Sequence, residues 1–208
     1  MTPTHEEVIT TRERLRELYG QPSRRACNKV IDRIDDVCRR FIAACPFVVV
    51  ASRGADGRLD ISPKGDPPGF VAVLDEKTLA IPDRVGNNRL DTFDNLLAYP
   101  EVGLLFMIPG NGDTLRVSGR GRIVRDDTLQ GRLAVNDRPP NVVLVVTVEE
   151  AFIHCPKCIA RAKLWSPDHW PDRGDVPSLA EALVAHATPA ETVADVRAAI
   201  DDHNKRLY

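Results

Sequence analysis

The sequence predicts a mainly β protein of the α+β class, with an antiparallel barrel in the middle of the chain and helices at both ends. About seven short apolar runs follow one another between residues 47 and 153, each bounded by turn-forming residues. Most of the loops between them span two to six residues, which is too short for the helical crossovers of a parallel sheet. This pattern favours a closed barrel, flanked by segments in which apolar residues have helical spacing.

The composition indicates one compact domain without a polyanion-binding surface. The 28 basic and 30 acidic residues are spread along the chain and leave a net charge of −2. The longest apolar run, residues 41–51, is interrupted by Pro46 and is too short to span a bilayer. Five cysteines, an odd number, argue against a disulfide framework and favour a reducing compartment. We therefore expect a cytoplasmic protein that binds neither nucleic acid nor membrane.

The first expected element is a single amphipathic helix over residues 24–45. Its apolar residues recur every three or four positions from Cys27 to Cys45. Pro46, which cannot continue a helix, ends it. Residues 1–46 are accordingly expected to form an N-terminal helical segment.

A succession of strands is expected next. A β-branched run over residues 47–52 and the apolar residues 59–61 flank Gly54-Ala-Asp-Gly57, which indicates a hairpin. Further strands are predicted over residues 70–74, 78–81, 102–108, 115–124 and 142–153, with a short helix over residues 89–98.

The last part of the chain returns to helices. Ser178 and Glu181 have the spacing of a capping box, as do Thr188 and Glu191. The predicted organisation is an N-terminal helical segment, a barrel over residues 47–165 and a helical extension over residues 166–208, all within one compact domain.

Residues 60–69 form the first segment that could carry chemistry. They include three prolines and two glycines, which shape the backbone and let another group approach it closely. Ser62 and Lys64 could thereby be presented to a flat ligand. The alternative is an irregular edge-strand loop without a ligand.

Residues 81–90 form the second segment. Arg84 and Arg89 lie five residues apart around Gly86, Asn87 and Asn88, at the entrance of the predicted helix. A helix N-terminus offers unpaired N–H groups, and a guanidinium grips phosphate oxygens in fork geometry. The alternative is that an asparagine caps the helix and both arginines are solvated.

Two further features could border a planar ring. Thr114, Arg116 and Ser118 alternate with apolar residues, so one strand face is polar and could pair with the rim of a heterocycle or simply face solvent. Trp165 could stack on a ring or belong to the core.

His154, Cys155 and Cys158 bring three soft ligands together in the sequence. A zinc site would need a fourth ligand, and a thioredoxin-like dithiol would need a βαβ frame. Structural thiols are the favoured interpretation, with a metal site and a redox dithiol as alternatives, and no metal is expected.

The order of these motifs resembles the pyridoxamine 5′-phosphate oxidase superfamily, and within it a subgroup of FMN-dependent enzymes. The resemblance covers residues 47–165. It is carried by Ser62-Pro-Lys-Gly-Asp66, residues 70–74, Leu79-Ala-Ile-Pro-Asp-Arg84, Gly86-Asn-Asn-Arg89, Pro100, Gly103-Leu-Leu-Phe106 and Thr114-Leu-Arg-Val-Ser-Gly119. It implies an FMN-binding split barrel and a homodimer with each cofactor site at the subunit interface.

The resemblance also implies roles for individual residues. Ser62, Pro63 and Lys64 match the strand that lies along the flavin ring near its N5 edge. The segment for the phosphate and ribityl chain is matched by Asp83, Arg84, Asn87, Asn88 and Arg89. Thr114 and Trp165 match positions close to the ring. No catalytic residue is identified.

The function that the resemblance implies is that of an FMN-dependent oxidoreductase acting on a small-molecule substrate. The chain lacks a C-terminal Arg-x-His motif and the usual arginine at the start of the first cofactor segment, which argues against oxidation of vitamin B6. The alternatives are a flavin-binding or flavin-storing protein without a substrate, and a haem- or deazaflavin-binding member of the same superfamily.

Overall fold

The computed structural model describes residues 7–187, 190–205 and 208. The helices are α1 (Arg12–Tyr19), α2 (Arg24–Asn28), α3 (Asp36–Ala44), α4 (Asp91–Ala98), α5 (Asp127–Arg132), α6 (Lys157–Ala162), α7 (Leu179–His186) and α8 (Val193–Asn204). The strands are β1 (Phe47–Arg53), β2 (Leu59–Gly65), β3 (Ala72–Asp75), β4 (Thr78–Pro82), β5 (Glu101–Met107), β6 (Thr114–Val124) and β7 (Val143–His154).

All seven strands join one antiparallel sheet in the order β2-β1-β5-β6-β7-β4-β3. The sheet confirms the predicted fold class of strands with flanking helices. In the described part of the chain β2 and β3 each pair on one side only, so the barrel is split between them. The split barrel that the resemblance implies is confirmed, and the closed barrel that the loop pattern favours is not.

The core lies between the inner faces of the strands and the helices that cover them. Alternate residues of the central strands point inward, which brings Val48, Phe106 and Leu115 into cross-strand register with all three side chains buried. Helix α3 contributes Phe41 and Ile42 to the same core. One wall of the site described below, strand β2, belongs to this sheet.

The prediction of one helix over residues 24–45 is wrong, because α2 and α3 are separated by residues 29–35. Ile31 forms an antiparallel bridge to Ala151 of β7, and the Ile34 amide donates to the Glu76 carbonyl. The Asp35 side chain then accepts from the Cys38 amide and caps α3. Strand pairing and a cap thus override the helical periodicity of this stretch.

Other elements differ from the predictions at their ends. Strand β2 continues through Pro63 to Gly65, because an edge strand tolerates a proline. The capping box of Ser178 and Glu181 is confirmed at α7. Thr188 lies outside the described residues, and α8 begins at Val193 behind the capping side chain of Thr192. Helix α1 lies within the predicted N-terminal helical segment, although its bounds were not predicted, and α5 was not predicted.

In the described ranges of the chain, none of the helices is both long enough and apolar enough to span a lipid bilayer.

Candidate functional site

A cleft of about 200 Å³ lies between β2 and the segment that connects β4 to α4. It brings together the two segments that sequence analysis selected separately. The predicted residues that line it are Ser62, Pro63, Lys64, Asp83, Arg84, Asn87, Asn88 and Arg89. An adjoining hollow of about 340 Å³ shares six lining residues with the cleft, so the two form a continuous depression.

Strand β2 forms one wall of the cleft. Because side chains alternate along a strand, Asp60, Ser62 and Lys64 share the half-buried face toward the cleft. The Lys64 ammonium lies 3.5 Å from a carboxylate oxygen of Asp83 and 5.7 Å from the centroid of the Phe93 ring. An ammonium is therefore held at the middle of the wall.

The opposite wall is the start of α4, which has an unusual N-terminus. Asn88 and Leu90 both have left-handed backbone conformations, with φ of 58° and 60°. This delays the helix to Asp91, two residues beyond its predicted start. Leu90 is the capping residue, and no side chain in the described ranges caps this helix end. Such an end presents amide donors and a partial positive charge to an anion.

Arg89 lies at the mouth of the cleft. Its Nε donates to Oδ2 of Asp91 over 2.7 Å, and 71% of its side chain is exposed. The hydrogen bond to Asp91, together with the charges of Asp91 and Asp60, raises the pKa of this guanidinium above its ordinary value. The Arg89 amide donates to Oδ1 of Asn87 over 3.1 Å, which fixes the turn.

Arg84 is held more tightly. Its Nε donates to Oδ2 of Asp66 over 2.6 Å, and its Nη2 donates to the Leu133 carbonyl over 2.9 Å. The Asp66 side chain is 1% exposed. Arg84 thus ties the turn before α4 to the loop after β2 and to the end of α5, while still lining the cleft.

Three polar residues that line the cleft, Asp60, Asp91 and Thr92, were not among the predicted site residues. Asp60 shares its strand face with Ser62, a signal that the alternation already contains. Asp91 and Thr92 belong to the first turn of α4, and the Thr92 hydroxyl donates to Oδ2 of Asp60 over 3.3 Å. The cleft is thus lined by as many acidic as basic side chains. The acidic ones are Asp60, Asp83 and Asp91, and the basic ones are Lys64, Arg84 and Arg89.

Thr114 and Trp165 lie elsewhere in the same chain. Thr114 is buried at the start of β6, in register with Met107 and His154. The Trp165 indole donates to the Asn111 carbonyl over 2.7 Å. Both residues are therefore beside the turn between β5 and β6, outside the lining of the cleft.

Cys155 and Cys158 are exposed free thiols, the first just before α6 and the second in its first turn. In the described ranges, no three His, Cys, Asp or Glu side chains, including those of His154 and these cysteines, are arranged to hold a metal ion.

The comparisons with solved structures give distant likenesses. HupZ of Group A Streptococcus is 20% identical over 58% of this chain and 93% of its own, with a TM-score of 0.45. A Clostridium acetobutylicum protein of the pyridoxinephosphate oxidase family, related to general stress protein 26, is 17% identical over 56% and 84%, with a TM-score of 0.41. HutZ, the heme storage protein of Vibrio cholerae, is 12% identical over 59% and 94%, with a TM-score of 0.40.

No curated protein sequence matches the chain. The family model described as pyridoxamine 5′-phosphate oxidase matches residues 34–155, which is more than half of the chain and includes β1 to β7. Both walls of the cleft fall within the matched region. The chain belongs to the pyridoxamine 5′-phosphate oxidase family.

Proposed function

We propose that this protein binds FMN in the cleft and acts as an oxidoreductase on a small-molecule substrate. One observation carries the proposal. A strand presenting Ser62 and Lys64 faces a helix N-terminus that lacks a side-chain cap in the described part of the chain, and Arg84 and Arg89 lie beside that terminus. The first wall suits a planar ring, and the second suits a phosphate group.

The residues present fit FMN. The Ser62 to Lys64 strand would lie along the ring, with the Lys64 ammonium beside it. Asn87, Asn88 and the first amides of α4 would donate to the ribityl hydroxyls and the phosphate, and the guanidiniums of Arg84 and Arg89 would donate to the phosphate oxygens. When bound, FMN supplies the electron-transfer chemistry at its N5 edge. The protein's part is to hold the ring, exclude water from it and tune its charge.

We further propose that the protein is a homodimer. Leu59 and Ile61, on the face of β2 opposite to Ser62, are 78% and 68% exposed, which favours coverage by another protein surface. Trp165 lies outside the cleft of its own chain and is only partly buried, so a second copy could supply it to the cleft, whereas Thr114 is buried within its own chain. We propose a cytoplasmic location because the thiols are free.

The haem alternative lacks a ligand at this site. Of the described residues that line the cleft, none carries an imidazole, thiol, thioether or phenol group to bind the iron. A deazaflavin shares the planar shape of FMN, and a storage protein would bind FMN without turnover. These two alternatives differ from the proposal in spectrum and in turnover, which the following experiment measures.

The test is reconstitution of the purified full chain with FMN, a deazaflavin or haemin, each followed by desalting, visible spectroscopy and thermal unfolding. We expect the flavin absorbance bands to remain with the protein and the melting temperature to rise with FMN. A protein that retains only haemin or only the deazaflavin would overturn FMN binding. If the protein retains FMN, but no organic donor reduces it and no acceptor reoxidises it in steady turnover, the enzymatic part of the proposal is overturned. The protein would then be a flavin-storage protein.

A further inference from the structure

One buried carboxylate joins Arg84 to an aromatic residue far away in the sequence. Oδ2 of Asp66 accepts from Nε of Arg84, and Oδ1 of the same carboxylate accepts from the hydroxyl of Tyr208. Asp66 lies in the loop after β2, 142 residues before Tyr208. Both carboxylate oxygens therefore have a donor.

This arrangement fixes the orientation of the Arg84 side chain. A carboxylate that is 1% exposed is costly to bury unless it is paired and hydrogen-bonded. The guanidinium is planar, and its Nε and Nη2 donate to Asp66 and to the Leu133 carbonyl. Two hydrogen bonds from one planar group leave it little freedom to rotate.

Tyr208 is itself anchored. Nη1 of Arg138 donates to the main-chain oxygen of Tyr208. Arg138 belongs to a tight hairpin in which Val135 and Arg138 pair across two residues with positive φ, Asn136 and Asp137. The Arg84 guanidinium lies 5.8 Å from the centroid of the Tyr208 ring, which is within the range of a cation–π contact. Tyr208 thus spans the hairpin, Asp66 and Arg84.

We propose that Asp66 and Tyr208 are positioning residues that hold the Arg84 guanidinium in the cleft wall so that it recognises the phosphate of the bound ligand. The inference rests on the proposed function, since it concerns the phosphate of FMN. It assigns Asp66 and Tyr208 to the cofactor site, although Tyr208 lies beyond the region that the family model matches.

The proposal predicts a loss of binding that depends on the phosphate. Riboflavin has the ring and ribityl chain of FMN but no phosphate, so the ratio of the two dissociation constants isolates the phosphate contribution. Replacing Tyr208 by Phe removes only the hydroxyl that donates to Asp66. We expect Tyr208→Phe to weaken FMN binding roughly fivefold, the effect of one lost hydrogen bond, and to leave riboflavin binding unchanged.

Flavin fluorescence titration of the full chain measures both constants. Tyr19→Phe is the matched control, because Tyr19 is exposed at the end of α1, and it should change neither constant. Asp66→Asn should weaken FMN binding more than Tyr208→Phe does, and Arg138→Ala should reproduce the loss seen with Tyr208→Phe.

The outcomes separate this inference from the proposed function. A wild-type protein that binds neither flavin overturns both. If the wild type binds FMN but Tyr208→Phe binds it equally well, only the inference fails. If Tyr208→Phe weakened the binding of FMN and of riboflavin equally, Tyr208 would merely support the fold. This result also overturns the inference.

Discussion

Arg89 and Asp91 form an ion pair across the first residues of α4, with 2.7 Å between Nε and Oδ2. The pair places a carboxylate on the same helix end that we propose binds a phosphate. The two anions compete for one guanidinium, so Asp91 opposes phosphate binding while Arg89 favours it.

We expect the two residues to have opposite effects on FMN affinity. Arg89→Ala should weaken FMN binding roughly tenfold or more, as loss of a charged hydrogen bond to phosphate does. Asp91→Asn should strengthen it, because the competing charge is removed. Arg120→Ala is the control, since Arg120 forms a comparable pair with Glu101 on the outer surface. Fluorescence titration at two salt concentrations measures the effects, and weaker FMN binding by Asp91→Asn would contradict the competition.

Lys64 should influence the redox potential of the bound flavin. Its ammonium lies on the wall that we assign to the ring, and a nearby positive charge stabilises the anionic reduced form. Lys64→Met should therefore make the flavin harder to reduce, which a spectroscopic redox titration detects. Lys77→Met, which removes an ammonium paired with Asp32 outside the cleft, should leave the potential unchanged. A potential that rises in Lys64→Met would exclude this placement of the ring.

Gly119 should be intolerant of any side chain. It lies at a bulge between β6 and β7, where an added Cβ would overlap the Thr147 carbonyl oxygen. Because the contact is with backbone, no side-chain rotation relieves it. Gly119→Ala should therefore lower the free energy of unfolding by at least about 1–3 kcal/mol. Gly131→Ala, inside α5 with open space around it, should be neutral or stabilising. Chemical denaturation of both variants compares them, and equal stabilities would show that the strands separate easily at this point.

Stability should decline in alkaline solution through Cys38. Burial raises the pKa of this thiol from 9.0 to about 11. The folded-state pKa is above the unfolded one, so the stabilising contribution is complete below pH 9 and is lost as the pH rises from about 9 to about 11. Cys38→Ala should lose less stability over this range than the wild type does. If urea titrations showed that the free energies of unfolding of the two proteins decline equally as the pH rises, the alkaline effect would belong to other groups.

The local patterns of the sequence predict the strands well, because side-chain alternation and turn residues are local properties. They also predict that residues 60–69 and 81–90 are special, and the structure brings both into one cleft. The break between α2 and α3 was not predictable in this way, because it depends on pairing of Ile31 with Ala151, 120 residues later. The hydrogen bonds of Asp66 were hidden for the same reason, since its partners Arg84 and Tyr208 are distant in the sequence.

Pro63 has a consequence for how two copies of this chain can meet. It lies in the middle of β2, opposite Val49 of β1, and has no N–H group. Another strand pairing with the open side of the sheet would need that group as a hydrogen-bond donor. The strand that we assign to the flavin ring is therefore poorly suited to recruiting a neighbour through backbone hydrogen bonds. Two copies would have to associate by packing their side chains, and a continuous intermolecular sheet, with the aggregation it invites, is disfavoured at this edge.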